Sequence, residues 1–338
     1  MASINGSNFY GTQWSGDWVG SCGGWCYVNF DLTNVYTLGN LCGKPNVWIA
    51  FRFISDSSIV YEGSYVDAIV LQKNTSCGGP PTISSVVPNV ASAGTSTIVT
   101  INGNNFGATQ GSSNVQFWWK STSWYNASIV SWSNTQIRCR VPAPASSHTT
   151  SALRVNTSAG TAYAGFHIKF GYMGIRWPYP YFAKFYVYEN TADCTGEAYE
   201  VRKGAWAWNN ADYHRLALRY YGATTRSAPT YDGYNVIRWG STGGSIATCW
   251  TWYSGSAIIE FDIVFEDAYL WSTAASCPSN RMDVWNIATH ELGHGFGLLD
   301  LYGTPDSEKT MYGYGAYGET KKRTLATYDI QGIQWIYP

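Results

Sequence analysis

Apolar residues recur along the chain with different periods, and each period predicts a different element. Residues 47–53 (VWIAFRF) form a nearly unbroken apolar run and read as a buried strand, and residues 65–71 (YVDAIVL) read as a second. Val99 and Ile101 alternate with Thr100 and Asn102 before Gly103-Asn104, a strand entering a turn. Ala198, Val201, Ala205 and Trp208 recur at helical spacing, which predicts an amphipathic helix facing a core. Ile259, Phe261, Ile263 and Phe265 alternate with Glu260, Asp262 and Val264, the pattern of a half-buried strand. A second helix is expected to begin near Asp283, whose carboxylate caps free N–H groups, and to run through His294.

The pattern changes at two places. Cys77-Gly-Gly-Pro-Pro81 reads as a linker, because Gly-Gly and Pro-Pro favour unpaired, extended backbone. Near Gly171, Ser/Thr-rich β sequence gives way to the first helical periodicity. Three domains are predicted, residues 1–79, 80–170 and 171–338, the first two all-β and the third α+β.

Composition narrows the function classes. The net charge is -1 and charged residues are 13% of the chain, so no basic field for nucleic acid is present. No apolar run approaches the roughly 18 residues of a membrane span. The first twenty residues lack a charged start and an apolar stretch, so no signal peptide is read there and a mature form is expected. Eight cysteines without paired C-x-x-C elements, and sequons at Asn5, Asn74, Asn126 and Asn156, predict disulfides and an extracellular, secreted protein.

The chemistry concentrates in HELGHGFGLLD, residues 290–300. On a helix, His290 and His294 lie one turn apart on one face, so both imidazoles reach one metal ion. Glu291 is placed to act on a metal-activated water as general base without ligating. A catalytic zinc uses a third protein ligand and keeps one position open. Gly297 suits the left-handed residue that ends a helix and reverses the chain. None of the five histidines follows His294, so Asp300 is the candidate third ligand.

The spacing H-E-x-x-H-x-x-G-x-x-D resembles the metzincin signature with Asp in place of the third His, as in snapalysin-like and some matrixin-like bacterial enzymes. Lys309-Thr310-Met311-Tyr312-Gly313 stands where a Met-turn belongs, LATYDIQGIQWIYP (325–338) resembles a matrixin C-terminal helix, and Ile175-Arg176-Trp177-Pro178 resembles the start of that catalytic domain. By this resemblance Met311 is a non-ligating floor under the metal, Tyr312 or Tyr314 is a candidate oxyanion donor, and zinc is the cofactor. Calcium, also found in matrixins, has Asp262 and Glu266 as candidate ligands, with solvated carboxylates as the alternative, and is left unplaced.

Residues 80–170 resemble an IPT/TIG immunoglobulin-like domain through Pro81-Thr82-Ile83, Pro88, IVTINGNNFG (98–107), Val115-Gln116-Phe117 and IVSWSNTQIRCRVP (129–142). Residues 1–79 resemble the jelly-roll accessory modules of secreted proteases through FDLT, VWIAFRFISD and EGSYVDAIVL. The expected fold is multidomain: two all-β sandwiches, jelly-roll-like and IPT/TIG-like, then an α+β metzincin-like catalytic domain. The expected function is a secreted zinc endopeptidase acting on proteins or peptides, its β domains anchoring it to a cell surface or matrix.

The competing reading is an extracellular adhesion or structural protein carrying a degenerate protease domain. Cys42-Gly43-Lys44-Pro45-Asn46 resembles the cysteine switch of matrixin propeptides, but Asn46 stands in place of Asp, and disulfide pairing is the simpler fate of Cys42. His148, His167 and His214 have no motif context, and Lys321-Lys322-Arg323 reads as a solvated turn.

Overall fold

A computed structural model describes residues 79–211 and 217–338, and ahead of these residues 2–3 with scattered positions between 32 and 50. The chain divides into two compact units, residues 1–79 and 80–338. In the first, β1 (Ala2–Ser3) pairs antiparallel with β2 (Trp48–Ile49), and Val35 and Leu41 are buried. Trp48 and Ile49 are exposed, unlike the buried strand expected there. The jelly-roll reading as a whole, the strand at 65–71, Cys42 and His214 lie outside the described residues.

The second unit opens with nine strands. They are β3 (Thr82–Val87), β4 (Val90–Ala93), β5 (Ile98–Asn104), β6 (Asn114–Trp118), β7 (Trp124–Asn126), β8 (Ser128–Trp132), β9 (Gln136–Arg140), β10 (His148–Thr157) and β11 (Gly160–Tyr172). Two sheets result, ordered β3-β5-β9-β8 and β11-β10-β6-β7, with β4 parallel to β11. Alternation along each strand explains the sandwich. Val99 and Ile101 of β5 meet Val115 and Phe117 of β6 in one core, while the intervening residues of both strands face outward.

The remaining elements are β12 (Phe182–Val187), α1 (Glu197–Ala211), β13 (Ala217–Ala223), β14 (Asn235–Gly240), β15 (Ala247–Ser254), β16 (Ala257–Glu266), β17 (Trp271–Ser272), β18 (Met282–Asp283), α2 (Val284–Gly295), β19 (Leu298–Leu299) and α3 (Thr327–Ile336). Five of these strands form a sheet ordered β13-β12-β14-β16-β15, parallel except for the antiparallel edge strand β15. Val201, Ala205 and Trp208 of α1 and Ala288 and Leu292 of α2 share a core with Phe185, Ile237 and Phe261 of the sheet. The Trp208 indole also donates to the Thr289 carbonyl at 2.7 Å, tying α1 to α2. No helix among the described residues is long and apolar enough to cross a membrane.

β16 departs from its half-buried expectation, because Glu260, Asp262, Val264 and Glu266 are buried as fully as the apolar residues between them. The carboxylates are satisfied by backbone N–H groups of neighbouring loops. Asp262 accepts from Thr230 and Val236, Glu260 from Asp232 and Gly233, and Glu266 from Thr242 and Ala268. These N–H partners make Asp262 and Glu266, the candidate calcium ligands of the sequence, clamps on the neighbouring loops. Replacing Glu260 by Ala is expected to speed amide hydrogen exchange at Asp232 and Gly233 selectively, and unchanged exchange there would contradict the clamp.

Cys139, Cys194, Cys249 and Cys277 are free thiols, and the other four cysteines lie outside the described residues. Burial pushes the thiols of Cys139 and Cys194 up to about 12. Cys139 is packed in the sandwich core as a small apolar side chain. The expected disulfides do not form among the described residues.

Candidate metal centre

Asp283 starts α2, accepting the Asn286 N–H at 2.7 Å, and Arg323 braces the same carboxylate. The helix then presents His290 and His294 on one face, their ring centroids 5.0 Å apart. The His290 Nδ1 lies 2.7 Å from the Thr310 carbonyl and the His294 Nδ1 lies 2.8 Å from the Leu298 carbonyl. A carbonyl oxygen only accepts, so both Nδ1 atoms carry hydrogens and both Nε2 atoms turn lone pairs toward the same point.

Gly297 adopts φ +89° just after the helix, and a Cβ there would stand 2.3 Å from the Ile175 carbonyl oxygen. This position requires glycine. The chain reverses through β19 and brings Asp300 back over α2. Its Oδ1 lies 3.1 Å from His290 Nε2 and 3.4 Å from His294 Nε2. Asp300 Oδ1 is buried without a hydrogen-bond partner, whereas Oδ2 accepts from the Tyr302 hydroxyl at 2.8 Å. One oxygen is tied back and the other faces the histidines.

Three ligand atoms within 4.8 Å of one another form a group able to hold one metal ion. The two histidine–carboxylate separations are close to the roughly 3.3 Å edge of a tetrahedral zinc site with bonds of about 2.0–2.1 Å, and all three atoms lie within 4.8 Å of one another. The residues fit the ion. Considering the protein groups alone, burial disfavours the charged forms of His294 and Asp300, and their mutual attraction overrides it. His294 is raised to about 9 and Asp300 is held well below the usual carboxylate range. Glu291 Oε1 stands 4.0 Å from His290 Nε2, and burial raises this second carboxyl.

Met311 is buried beneath α2, where a Cβ on Gly293 would stand 2.3 Å from its sulfur. Asp329, near the start of α3, holds this turn by accepting the N–H groups of Thr310 at 2.8 Å and Met311 at 3.3 Å. Tyr312 and Tyr314 lie in a string of edge-on rings, Tyr312–Tyr314 at 5.4 Å and Tyr302–Tyr314 at 5.3 Å. Among the described residues, neither the Tyr312 nor the Tyr314 hydroxyl bonds to Asp300 or Glu291. The tyrosine that touches the ligand set is Tyr302. Lys322 is buried, contrary to the solvated turn expected there, and donates to the carbonyls of Tyr312 and Tyr314.

Residues 242–338 match the matrixin family model. Residues 81–168 match the IPT/TIG domain model. No curated protein matches the chain. Among solved structures, a structural genomics protein of unknown function from Bacteroides thetaiotaomicron VPI-5482 is 17% identical, covering 26% of this chain and 22% of that one, with a TM-score of 0.21. A gamma-CGTase from Alkalophilic bacillus clarkii is 20% identical over 28% of this chain and 13% of that one, also with a TM-score of 0.21.

The matrixin match runs from just before β15 to the chain end and contains His290, Glu291, His294, Asp300 and Met311. It also contains Tyr302 and Asp329, which the sequence reading did not single out, and Lys322, which it placed in a solvated turn. Tyr302 carried a readable signal, since residues two apart on extended backbone share a side with Asp300. Asp329 and Lys322 carried none, because their partners are backbone groups brought close by the tertiary fold.

Proposed function

We propose that the chain is a zinc-dependent endopeptidase, with zinc held by His290, His294 and Asp300 and with Glu291 as general base. The observation that carries this reading is the convergence of two Nε2 atoms and an unpartnered, buried Asp300 Oδ1 on one point. The matrixin match over the same residues supports it. When bound, zinc supplies Lewis acidity that makes water acidic and polarises a carbonyl. Glu291 takes a proton from the attacking water and returns it to the leaving amine. The Thr310 and Leu298 carbonyls keep both imidazoles in the ligating tautomer.

β15 is an antiparallel edge strand packed against α2, so its outer backbone groups can align an extended peptide beside the site. That favours a protein or peptide substrate. The proposal keeps an extracellular setting, resting on the sequons, of which Asn126 is exposed.

Casein cleavage by the purified chain is expected to fall to background with a zinc chelator and to return on adding zinc. Cleavage that survives the chelator would refute the metal mechanism. A chain that binds zinc at these residues and cleaves nothing would favour the adhesion reading instead.

A further inference from the structure

The segment after α2 carries the third ligand, and it is seated on the β-sandwich. β19 pairs antiparallel with β11, Leu298 opposite Tyr172 and Leu299 opposite Gly171. Leu301, next to Asp300, is fully buried in the sandwich core and not in the core beneath α2. The Tyr302 N–H donates to Ser146 Oγ at 3.0 Å, and its ring meets Trp119 edge-on at 5.4 Å.

The next turn is fastened as firmly. Ser147 donates its N–H at 3.0 Å and its hydroxyl at 2.7 Å to the buried Asp306 carboxylate. Gly303 lies so close that a Cβ would stand 1.8 Å from the Ser147 carbonyl oxygen. The ligand is therefore anchored to the sandwich on both sides: by β19 before it, and by Leu301, Tyr302 and Asp306 after it.

We infer that the sandwich is a positioning part of the metal centre, fixing Asp300 over the two histidines through Trp119, Ser146 and Ser147. This rests on the zinc reading of the site. The physical reason is preorganisation: His290 and His294 are held by a helix, whereas Asp300 follows a two-residue strand with no helix to hold it. Anchoring through a rigid sheet removes the ordering entropy that a free loop would lose on ligation. An immunoglobulin-like module read from sequence as an anchor thus contributes to metal affinity.

The test is zinc affinity of the full-length chain, measured by competition with a chromophoric chelator, with unfolding midpoints of the metal-free chain alongside. Trp119→Ala and Ser147→Ala are each expected to weaken zinc binding by about 10-fold or more, as for other supports of a ligand shell. Trp119→Phe keeps the edge-on contact and should restore native affinity, while the unfolding midpoints separate this from a general loss of stability. Cobalt-loaded Trp119→Ala should also lose visible-band intensity as the carboxylate leaves its place. Tyr163→Ala, at an exposed aromatic of the same sandwich, should bind zinc like the native chain. If Trp119→Ala does not fold, Ser146→Ala removes only the acceptor of the Tyr302 amide and carries the same comparison. Native affinity in Trp119→Ala and Ser147→Ala would overturn the inference while leaving the zinc reading intact. A native chain that binds no zinc would overturn the zinc reading itself.

Discussion

Replacing Glu291 by Gln is expected to lower casein turnover by about 10²–10⁴-fold, the range for losing a general acid–base, while zinc stays bound. The substitution keeps volume and shape and removes only the ability to take up a proton. Glu291 stands outside the three converging atoms, so the ligand set is untouched. Stability should move the other way. Burial raises the Glu291 carboxyl in the folded, metal-free chain, against the opposing pull of His290 and His294. As pH rises from the ordinary value of 4.5 toward that raised value, the unfolded chain loses the proton and the native chain keeps it. Native stability therefore falls across this window, and the Gln variant escapes the fall. The variant should melt higher than the native chain at neutral pH, and the difference should vanish below the carboxyl range. Retained turnover, or zinc lost with the carboxylate, would contradict the role given to Glu291.

The residues that were legible in the sequence act through local geometry. Ala198, Val201, Ala205 and Trp208 are all buried on α1, because helical period alone decides which side faces a core. Asp283 caps α2 and Gly297 takes a left-handed φ, because capping and chain reversal are set by the residues themselves. What escaped was decided by distant segments. Alternation along β16 identifies two sides but not what covers the second, and there the loops clamped by Glu260 and Asp262 provide the cover. Lys322 reads as a surface cation until the carbonyls of Tyr312 and Tyr314 close around it. The seating of residues 298–309 on the sandwich has no periodic signal, since Leu301 enters a core built more than a hundred residues earlier.

Asp329 shows how much such a distant contact can carry. Asp329→Ala is expected to destabilise the metal-free chain by about 3–5 kcal/mol, at the upper end for a single substitution. The carboxylate is 1% exposed and accepts the N–H groups of Thr310, Met311 and Ala326, the last at 3.2 Å. Removing it leaves three donors without that acceptor in a site closed to water, each costing roughly 1–3 kcal/mol, partly offset by no longer burying a charge. The damage should then spread to the metal. The Thr310 carbonyl fixes the His290 tautomer, and Met311 fills the space beside Gly293 between the two histidines. Loosening that turn should weaken zinc binding by about 10-fold, comparable to other losses behind a ligand. Asp329→Asn retains one acceptor oxygen and should lose roughly half as much stability. Denaturant unfolding of the metal-free variants, followed by chelator competition, checks both steps. An Ala variant within about 1 kcal/mol of native would mean that the turn is held by packing alone.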